Sequence, residues 1–253
     1  MRKLIQKSLH MFGLKLVELE DDELQFPVEL SADDKRILKH VIQGRLTMTS
    51  RERLYATAMA CRHVIDKGIA GDFVECGVWR GGNSMIAADV FSRTSANRAT
   101  WLFDTFAGMT APTDADVDLV GAPAQAEFAR TQGKGFSSWC LASLEDVQHN
   151  FATARIATTS VHFVKGDVLK TLEDASRLPD RIAVLRLDTD WYESTKRELE
   201  VLYPRLSPGG ILIIDDYGYW VGARKAVDEY FESRPRPFLQ YVDQTGRVGV
   251  KLS

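Results

Sequence analysis

The sequence predicts an α/β fold built on a doubly wound, mostly parallel sheet. From residue 72 onward, short apolar runs alternate with stretches of helical periodicity. Runs such as Ile182–Leu187 and Ile211–Ile214 are apolar at nearly every position, which is typical of parallel strands buried on both faces. Several runs end in aspartate. Ligands bind beyond the carboxyl ends of the strands in such sheets, so the same pattern predicts a functional site at that edge.

Helices precede the first strand. Basic and apolar residues at helical spacing in Met1–Val17 predict an amphipathic helix that packs on the domain or on a neighbouring subunit, rather than a signal peptide. Helical patterning recurs from Ala32 to Gly44. Residues 1–45 are therefore expected to form a helical N-terminal extension to a domain at 46–253.

The next helix is predicted over Arg51–Lys67. Thr49 or Ser50 is its expected N-cap, because a hydroxyl at that position accepts a hydrogen bond from a free backbone N–H group. Gly68 is expected to end the helix, since glycine readily adopts the left-handed conformation found after many helices.

The later elements continue the alternation of strand and helix. The first strand begins at Gly71 and runs into a glycine-rich turn at Gly77. Further strands are expected at 100–103, 161–165, 182–187, 211–214, 238–242 and 247–252, and helices at 84–91, 143–152, 168–178, 194–206 and 222–232. Ser207–Gly210 is expected to be a turn. The result is a seven-stranded sheet with an antiparallel strand at its C-terminal end.

Residues 107–138 interrupt this alternation. They are rich in Ala, Gly, Thr and Asp and have weak periodicity. A connection of this length in an α/β domain is usually functional. We expect residues 110–138 to form a long lid loop that is mobile without ligand and closes over the site.

Composition excludes several classes of protein. The net charge is −3, whereas a nucleic-acid-binding protein usually carries a basic surplus. No apolar stretch reaches the roughly 18–20 residues needed to cross a bilayer, so we expect no membrane partner. Cys61, Cys76 and Cys140 form neither a CxxC motif nor a zinc-binding spacing, which favours a reduced, cytoplasmic protein.

Two pairs of aspartates follow the most apolar runs. Asp188 and Asp190 follow the run 182–187, and Asp215 and Asp216 follow the run 211–214. Converging carboxylates repel one another unless a cation lies between them, and oxygen ligands suit Mg²⁺. The alternative is that each aspartate caps a helix or turn, although capping does not require adjacent pairs.

Three other strand ends also carry acids. Glu75 precedes the turn at Gly77, which is not a GxGxxG motif. Its carboxylate would repel a diphosphate and favour a ligand with an amino or sulfonium group. Asp104 is placed to accept hydrogen bonds from a ribose diol, and Gly166-Asp167 to reach an adenine amino group. The alternative for each is a purely local role in the turn.

Together these features resemble the class I S-adenosylmethionine-dependent methyltransferases, which have a Rossmann-like sheet, and more closely the macrocin O-methyltransferase family, which methylates sugar hydroxyls of antibiotics and related glycosylated natural products. The segments that carry the resemblance are Gly71–Ser84, Leu102–Met109, Leu185–Thr195 and Pro208–Tyr217. The match runs from about Leu46 to Phe231. The N-terminal extension and the lid fall outside the best-matched parts and are expected to contact the acceptor.

The resemblance implies a site for each ligand. Mg²⁺, or another divalent ion, would be held by Asp188, Asp215 and Asp216, and Asp190 would be the general base. The reverse assignment, with Asp188 as base and Asp190 as ligand, stays open. The residues expected to contact S-adenosylmethionine are Met48, Thr49, Glu75, Gly77, Arg80, Ser84, Asp104, Thr105, Phe106, Gly108, Met109, Ser143, Asp167, Val168 and Asp188.

The predicted partner is a small glycosylated acceptor, and the predicted assembly is a homo-oligomer, a dimer or tetramer. Aromatic side chains near the aspartates either stack on the acceptor or pack in the core. They are Trp191, Tyr192, Tyr217, Tyr219 and Trp220.

Other functions fit parts of the pattern. Asp188-Thr189-Asp190 also matches the DxD motif of metal-dependent glycosyltransferases, although Glu75 and Asp104 argue against a sugar-nucleotide site. A non-catalytic binding or assembly partner with the same fold is a second alternative. An NAD-linked oxidoreductase is disfavoured because the glycine fingerprint is missing.

Overall fold

The structure is a computed structural model that describes residues 26–94 and 97–252. The chain divides into an N-terminal unit, residues 1–35, and a main unit, residues 36–253. The helix predicted over Met1–Val17 lies outside the described residues. Within the N-terminal unit, Asp34 accepts hydrogen bonds from the backbone and hydroxyl of Ser31 at 3.0 and 2.7 Å, at the start of the first helix.

Outside the segment 110–138, the described helices and strands alternate as predicted. The α-helices are α1 (Ala32–Gln43), α2 (Arg51–Asp66), α3 (Gly82–Ser92), α4 (Ala124–Thr131), α5 (Leu144–Thr153), α6 (Val168–Thr171), α7 (Tyr192–Leu202) and α8 (Val221–Glu232). The strands are β1 (Asp72–Cys76), β2 (Thr100–Asp104), β3 (Gln132–Gly133), β4 (Phe136–Ser137), β5 (Val161–Lys165), β6 (Ile182–Leu187), β7 (Leu206–Ile214), β8 (Gln240–Tyr241) and β9 (Arg247–Val250).

Seven strands form the main sheet in the order β5-β2-β1-β6-β7-β9-β8. The first five are parallel, while β9 is antiparallel to β7 and to β8. The register aligns the carboxyl ends: Cys76 pairs with Phe103 and with Leu187, and Leu187 pairs with Ile214. The predicted α/β fold, with its mostly parallel seven-stranded sheet and antiparallel C-terminal end, is confirmed.

The core explains why the apolar runs became central strands. All six residues of β6 are buried, and so are the last five of β7. Phe103, Leu185 and Leu212 are fully buried among side chains of the neighbouring strands and helices. Each such side chain contributes about 1.5–3 kcal/mol by leaving water. The strand ends are thereby fixed as a rigid base for the site.

Several element boundaries differ from prediction, and two of these differences have a clear local cause. The helix predicted over 168–178 ends at Thr171, and a short 3₁₀ turn follows at Ala175–Arg177. Asp174 accepts a hydrogen bond from the backbone N–H of Ser176 at 3.0 Å, and this local alternative competes with a continuing helix. The predicted turn at Ser207–Gly210 is part of β7, with Gly209 in the left-handed region at φ 79°.

The segment 110–138 contains regular structure that its composition did not predict. It includes α4 and a ribbon of β3 and β4. Buried Asp116 holds the segment: its Oδ1 accepts a hydrogen bond from the backbone N–H of Tyr192 at 2.7 Å, and its Oδ2 accepts from Thr113. The segment predicted as a long lid loop thus includes short helical and strand elements, while its mobility and its closure over the site stay predictions.

The three cysteines are free thiols. In the part of the chain that the structure describes, every helix is too short or too polar to cross a bilayer.

Candidate active site

A cleft of about 640 Å³ opens beyond the carboxyl ends of β1, β6 and β7. A smaller recess of about 60 Å³ adjoins it next to the ends of β2 and β5. The cleft is lined by the predicted residues Met48, Thr49, Glu75, Gly77, Asp104, Gly108, Met109, Asp188, Asp190, Asp215 and Asp216, and the recess adds Thr105, Asp167 and Val168. Most of the predicted site residues thus lie together.

Four predicted cofactor residues do not line either cavity. Ser84 is buried and donates a hydrogen bond to Glu75. Phe106, in the loop that follows β2, is buried with its ring centroid 6.5 Å from that of Phe163. Arg80 stacks over the ring of Trp79, 4.7 Å from its centroid, and donates to the carbonyl of Arg45. Ser143 is the N-cap of α5, in a capping box with Asp146. These four side chains make contacts within the structure around the site and do not line the cavity.

The glycine turn after β1 is built against the end of β6. Gly77 has φ 82°, and a Cβ atom there would overlap the carbonyl oxygen of Asp188. The backbone N–H of Asp188 donates to the carbonyl of Cys76 at 2.8 Å. Gly77 is therefore required both for its left-handed conformation and for the close approach of the two chains.

Asp104 uses both of its carboxylate oxygens on backbone groups. Its Oδ2 accepts from the N–H groups of Val78 at 2.6 Å and Trp79 at 3.2 Å, and its Oδ1 accepts from Phe106 at 2.7 Å. Burial raises the pKa of Asp104, and these N–H donors partly offset the rise. Asp104 thus holds the glycine turn and the β2 loop in place while lining the cleft.

Asp167 and Thr105 also have local partners. Asp167 is the N-cap of α6 and accepts from the backbone N–H of Leu169 at 2.9 Å. The hydroxyl of Thr105 donates to the carbonyl of Gly108 at 2.6 Å. The capping alternative describes Asp167 well, although its carboxylate also borders the recess.

A buried arginine organises the acidic side of the cleft. The guanidinium of Arg186 donates to Glu75 at 2.8 Å, to Asp188 at 2.5 Å and to Asp215. Burial alone would lower the pKa of Arg186, but Asp188, Asp215 and Glu75 outweigh it, and the pKa is raised. Burial raises the pKa of Glu75 to about 7, although Arg186 and the Ser84 hydroxyl oppose the shift.

Sequence reasoning missed a second arginine. Arg53 on α2 donates to the other oxygen of Asp215, and its Nε lies 2.9 Å from a carboxylate oxygen of Asp243. Asp243 also accepts a hydrogen bond from the hydroxyl of Ser50 at 2.5 Å. Because Arg53 and Asp215 are far apart in sequence, neither periodicity nor motif spacing indicated the pair.

Three of the predicted metal ligands converge. Ligand oxygens of Asp188, Asp215 and Asp216 all lie within 4.8 Å of one another. Burial raises the pKa of Asp188, against the attraction of Arg186. Burial, Asp190 and Asp215 raise the pKa of Asp216. The Oδ2 atom of Asp216 is buried and has no hydrogen-bond partner, and two arginines do not balance the carboxylates around it.

Asp190 lies beside this cluster in a left-handed backbone conformation, φ 68°. Such a conformation is uncommon for residues other than glycine and is found at functional sites. Burial, followed by the charge of Asp188, raises the pKa of Asp190 to about 8. The chain has left the strand by this point, so the two aspartates are not related by simple strand alternation.

Three tryptophans pack together at the mouth of the cleft. Ring centroids of Trp139, Trp191 and Trp220 lie 5.0–6.2 Å apart. The indole N–H of Trp191 donates to the carbonyl of Thr110 at 3.1 Å, which ties the start of the lid segment to the cluster. Trp139 and Trp220 line the cleft and Trp191 packs behind them. Trp139 was not among the aromatic residues that the motifs indicated.

The sheet order, the glycine turn and the acidic edge define a Rossmann-like methyltransferase domain. The model of the macrocin-O-methyltransferase (TylF) family matches residues 6–248. The chain belongs to this family and is an O-methyltransferase, as the sequence predicted. The glycosyltransferase and non-catalytic alternatives are set aside by this assignment.

Related proteins agree with it. The chain is 37% identical over 185 residues to an 8-demethyl-8-(2,3-dimethoxy-alpha-L-rhamnosyl)-tetracenomycin-C 4'-O-methyltransferase of Streptomyces olivaceus, covering 73% of this chain and 67% of that one. It is 35% identical to demethyldecarbamoylnovobiocin O-methyltransferase of Streptomyces niveus over 185 residues, which cover 73% of this chain and 67% of that one. The solved O-methyltransferase NovP superposes with a TM-score of 0.70 at 31% identity, covering 82% of each chain.

Proposed function

We propose that this chain transfers a methyl group from S-adenosylmethionine to a sugar hydroxyl of a glycosylated natural product or nucleotide sugar, in a reaction that depends on Mg²⁺. The observation that carries the proposal is the cluster of Asp188, Asp215 and Asp216 beside the glycine turn, with Asp216 Oδ2 buried and unpartnered. The names of the relatives support the acceptor class, since the Streptomyces olivaceus protein is named for methylation of a rhamnosyl tetracenomycin.

The cofactor is proposed to lie along the glycine turn and the recess. Glu75 and Asp188 border the cleft next to Gly77 and supply negative potential for a cationic ligand. Asp167 and Val168 border the recess at the far end. We place the sulfonium in the cleft beside Glu75 and Asp188, and the adenosine towards the recess, where Asp167 is available to the adenine amino group.

The carboxylate cluster fits a hard divalent cation. All of its ligand atoms are oxygens, which Mg²⁺ prefers, and Asp216 Oδ2 has no competing donor. Asp215 would share its oxygens with Arg53 and Arg186, which already bind it. Bound at these three residues, Mg²⁺ supplies Lewis acidity that lowers the pKa of an acceptor hydroxyl.

Asp190 is proposed to accept the proton. The acceptor oxygen bonds to the methyl carbon, the carbon–sulfur bond breaks with its electrons going to sulfur, and the hydroxyl proton goes to the Asp190 carboxylate. Asp190 lines the cleft beside the carboxylate cluster, so its carboxylate is placed to take the proton of a hydroxyl held there.

The mouth of the cleft suits an acceptor with an apolar part. Met48 is 60% exposed and Tyr219 is 37% exposed, and both line the cleft with Trp79 and Trp139. Aromatic and thioether groups bind rings and sugar faces well. We therefore place the sugar hydroxyl near Asp190 and an apolar aglycone against the rim.

Methylation of a small panel tests the proposal. The purified protein is incubated with S-adenosylmethionine and a rhamnosylated tetracenomycin, a demethylated aminocoumarin glycoside or thymidine-diphosphate rhamnose, and mass spectrometry measures the gain of one methyl group. Turnover with Mg²⁺ that stops in EDTA and returns with added Mg²⁺ is expected. Full turnover in EDTA would contradict the proposed role of Mg²⁺. Methylation of the nucleotide sugar alone would contradict a glycosylated natural product as the acceptor.

Matched variants locate the metal. Asp216→Ala is expected to weaken Mn²⁺ binding at least tenfold, because a ligand is lost. Glu127→Gln removes a carboxylate that lines the same cleft from the lid segment, and it should leave Mn²⁺ affinity unchanged. Equal loss in both variants would indicate a general charge effect in place of a metal site.

A further inference from the structure

Glu198 is an ionisable residue inside the domain that the proposed reaction does not use. It lies on α7, is fully buried, and faces the sheet beneath the end of β6. In the part of the chain that the structure describes, no lysine, arginine or histidine pairs with it, and the groups that face it are the hydroxyl of Thr189 and the buried thiol of Cys76 at the end of β1. A buried carboxyl group without a cation is costly when charged, and burial raises the pKa of Glu198 to about 8.

The partner of Glu198 lies between the two functional aspartates. The hydroxyl of Thr189 is 2.8 Å from Glu198 Oε1 and 2.8 Å from the hydroxyl of Ser194. Ser194 in turn lies 3.1 Å from the carbonyl of Trp191, to which it donates. Glu198 thus accepts the hydrogen bond that fixes Thr189 from below.

Residues 188–191 form a short turn that carries both functional aspartates. Asp188 is held by its backbone N–H bond to Cys76, and the N–H of Trp191 donates to the carbonyl of Thr189 at 2.8 Å. Between these two points Asp190 adopts its left-handed conformation. The side chain of Thr189 attaches this short turn to α7 through Glu198 and Ser194, between the two carboxylates.

We propose that Glu198 is a positioning residue, which accepts a hydrogen bond from Thr189 and so holds Asp188 and Asp190 in their working geometry. This inference rests on the proposed function, because the geometry matters through the metal ligand and the base. Residues that orient the metal ligands without contacting the ion themselves can strongly affect metal affinity.

Metal affinity tests the inference without any acceptor. Mn²⁺ binding is measured by electron paramagnetic resonance for the wild type and for Glu198→Leu, Glu198→Gln, Thr189→Val and the double variant Glu198→Leu/Thr189→Val. Glu198→Leu and Thr189→Val should each weaken Mn²⁺ binding about tenfold or more. Glu198→Gln should stay within about threefold, because an amide oxygen accepts the same hydrogen bond without charge. The double variant should be no more than about twofold worse than either single one, since both changes remove one interaction.

Two controls separate positioning from general damage. Glu200→Leu removes an exposed carboxylate from the same helix and should leave Mn²⁺ affinity unchanged. S-adenosylhomocysteine affinity, measured by calorimetry, should fall less than Mn²⁺ affinity in Glu198→Leu and Thr189→Val, because Asp188 is only one of several groups that line the cofactor site. Should Glu198→Leu fail to fold, Thr189→Val and Glu198→Gln still decide the matter.

The outcomes are distinct. Additive losses in the double variant, or a Glu198→Gln protein as weak as Glu198→Leu, overturn the inference and leave the proposed function standing. Unchanged Mn²⁺ affinity in Thr189→Val does the same. A wild-type protein that binds no Mn²⁺ at this site overturns the proposed metal role and the inference with it.

Discussion

The carboxylates at the two halves of the sheet edge differ in what surrounds them. Beyond β2, Asp104 accepts hydrogen bonds from three backbone N–H groups. Beyond β6 and β7, carboxylates face one another, two arginines offset part of their charge, and Asp216 Oδ2 has no partner. Both halves carry acids on strand ends, and from the sequence they look alike. The first uses its charge to build loops, while the second keeps charge available for ligands.

This contrast separates structural acids from reactive ones. A carboxylate with all of its lone pairs on fixed donors stabilises the fold and is expensive to remove. A carboxylate that repels its neighbours destabilises the fold and persists because it serves a function. The same substitution should therefore have opposite effects on stability in the two halves.

Asp190→Asn should produce the largest change. Turnover is expected to fall about 10²–10⁴-fold, the usual range for a lost general base. S-adenosylhomocysteine and Mn²⁺ affinities should remain near wild type, because Asp190 is proposed to bind neither. Initial rates and calorimetry measure the two effects. Normal turnover in the variant would move the base to Asp188, or remove this role altogether.

Glu198→Gln should change how stability depends on pH. The pKa of Glu198 is raised from 4.5 to about 8 in the folded protein, so its contribution is fully present below about pH 4.5 and is lost as pH rises to about 8. Across that window the wild type should lose stability relative to the variant by several kcal/mol. Urea unfolding of both proteins at pH 5 and pH 8 measures this. A constant difference between them would mean that Glu198 is ionised in the fold.

Asp104→Asn and Asp216→Asn test the contrast itself. Asp104→Asn should lower the free energy of unfolding by about 1.5–3 kcal/mol, since it weakens charge-assisted bonds to backbone groups. It should also weaken S-adenosylhomocysteine binding at least tenfold. Asp216→Asn should slightly raise the stability of the metal-free protein by relieving repulsion. If both variants are equally destabilised, the carboxylates in both halves of the sheet edge stabilise the fold, and the contrast is wrong.

The lid segment gives the smallest effect. Limited proteolysis should cut first near Leu119-Val120, which are exposed at a turn, and S-adenosylhomocysteine with an acceptor should protect that site. Asp116→Ala should speed cleavage, because the segment loses its bond to the start of α7. Identical cleavage with and without ligands would contradict closure.

Much of the fold could be predicted from the sequence because burial determines it. Runs such as 182–187 can be satisfied only inside a parallel sheet, and the position of each strand end then follows. The convergence of Asp188, Asp215 and Asp216 was predictable for the same reason: parallel register brings the ends of β6 and β7 together. Family resemblance supplied the remaining roles.

What was missed depends on contacts between distant residues. Arg53 reaches Asp215 from a separate helix. The helix α4 is only eight residues long and buries only Ala124, and the segment around it is held by the hydrogen bond from Tyr192 at the start of α7 to Asp116. Glu198 looks like one more charged residue on an amphipathic helix until its burial is known. Sequence patterns predict local structure, whereas the roles of these residues depend on tertiary contacts and burial.

The crossing of Gly77 over the carbonyl of Asp188 has a consequence for redesign. There is no space for even a methyl group between the turn after β1 and the acidic segment after β6. A change to the backbone of either one therefore requires a matching change in the other. The lid segment is attached through a few contacts such as Asp116 with Tyr192. Exchanging residues 110–138 between relatives, with the Asp116 contact preserved, should therefore change which molecules are accepted while the machinery beneath stays intact.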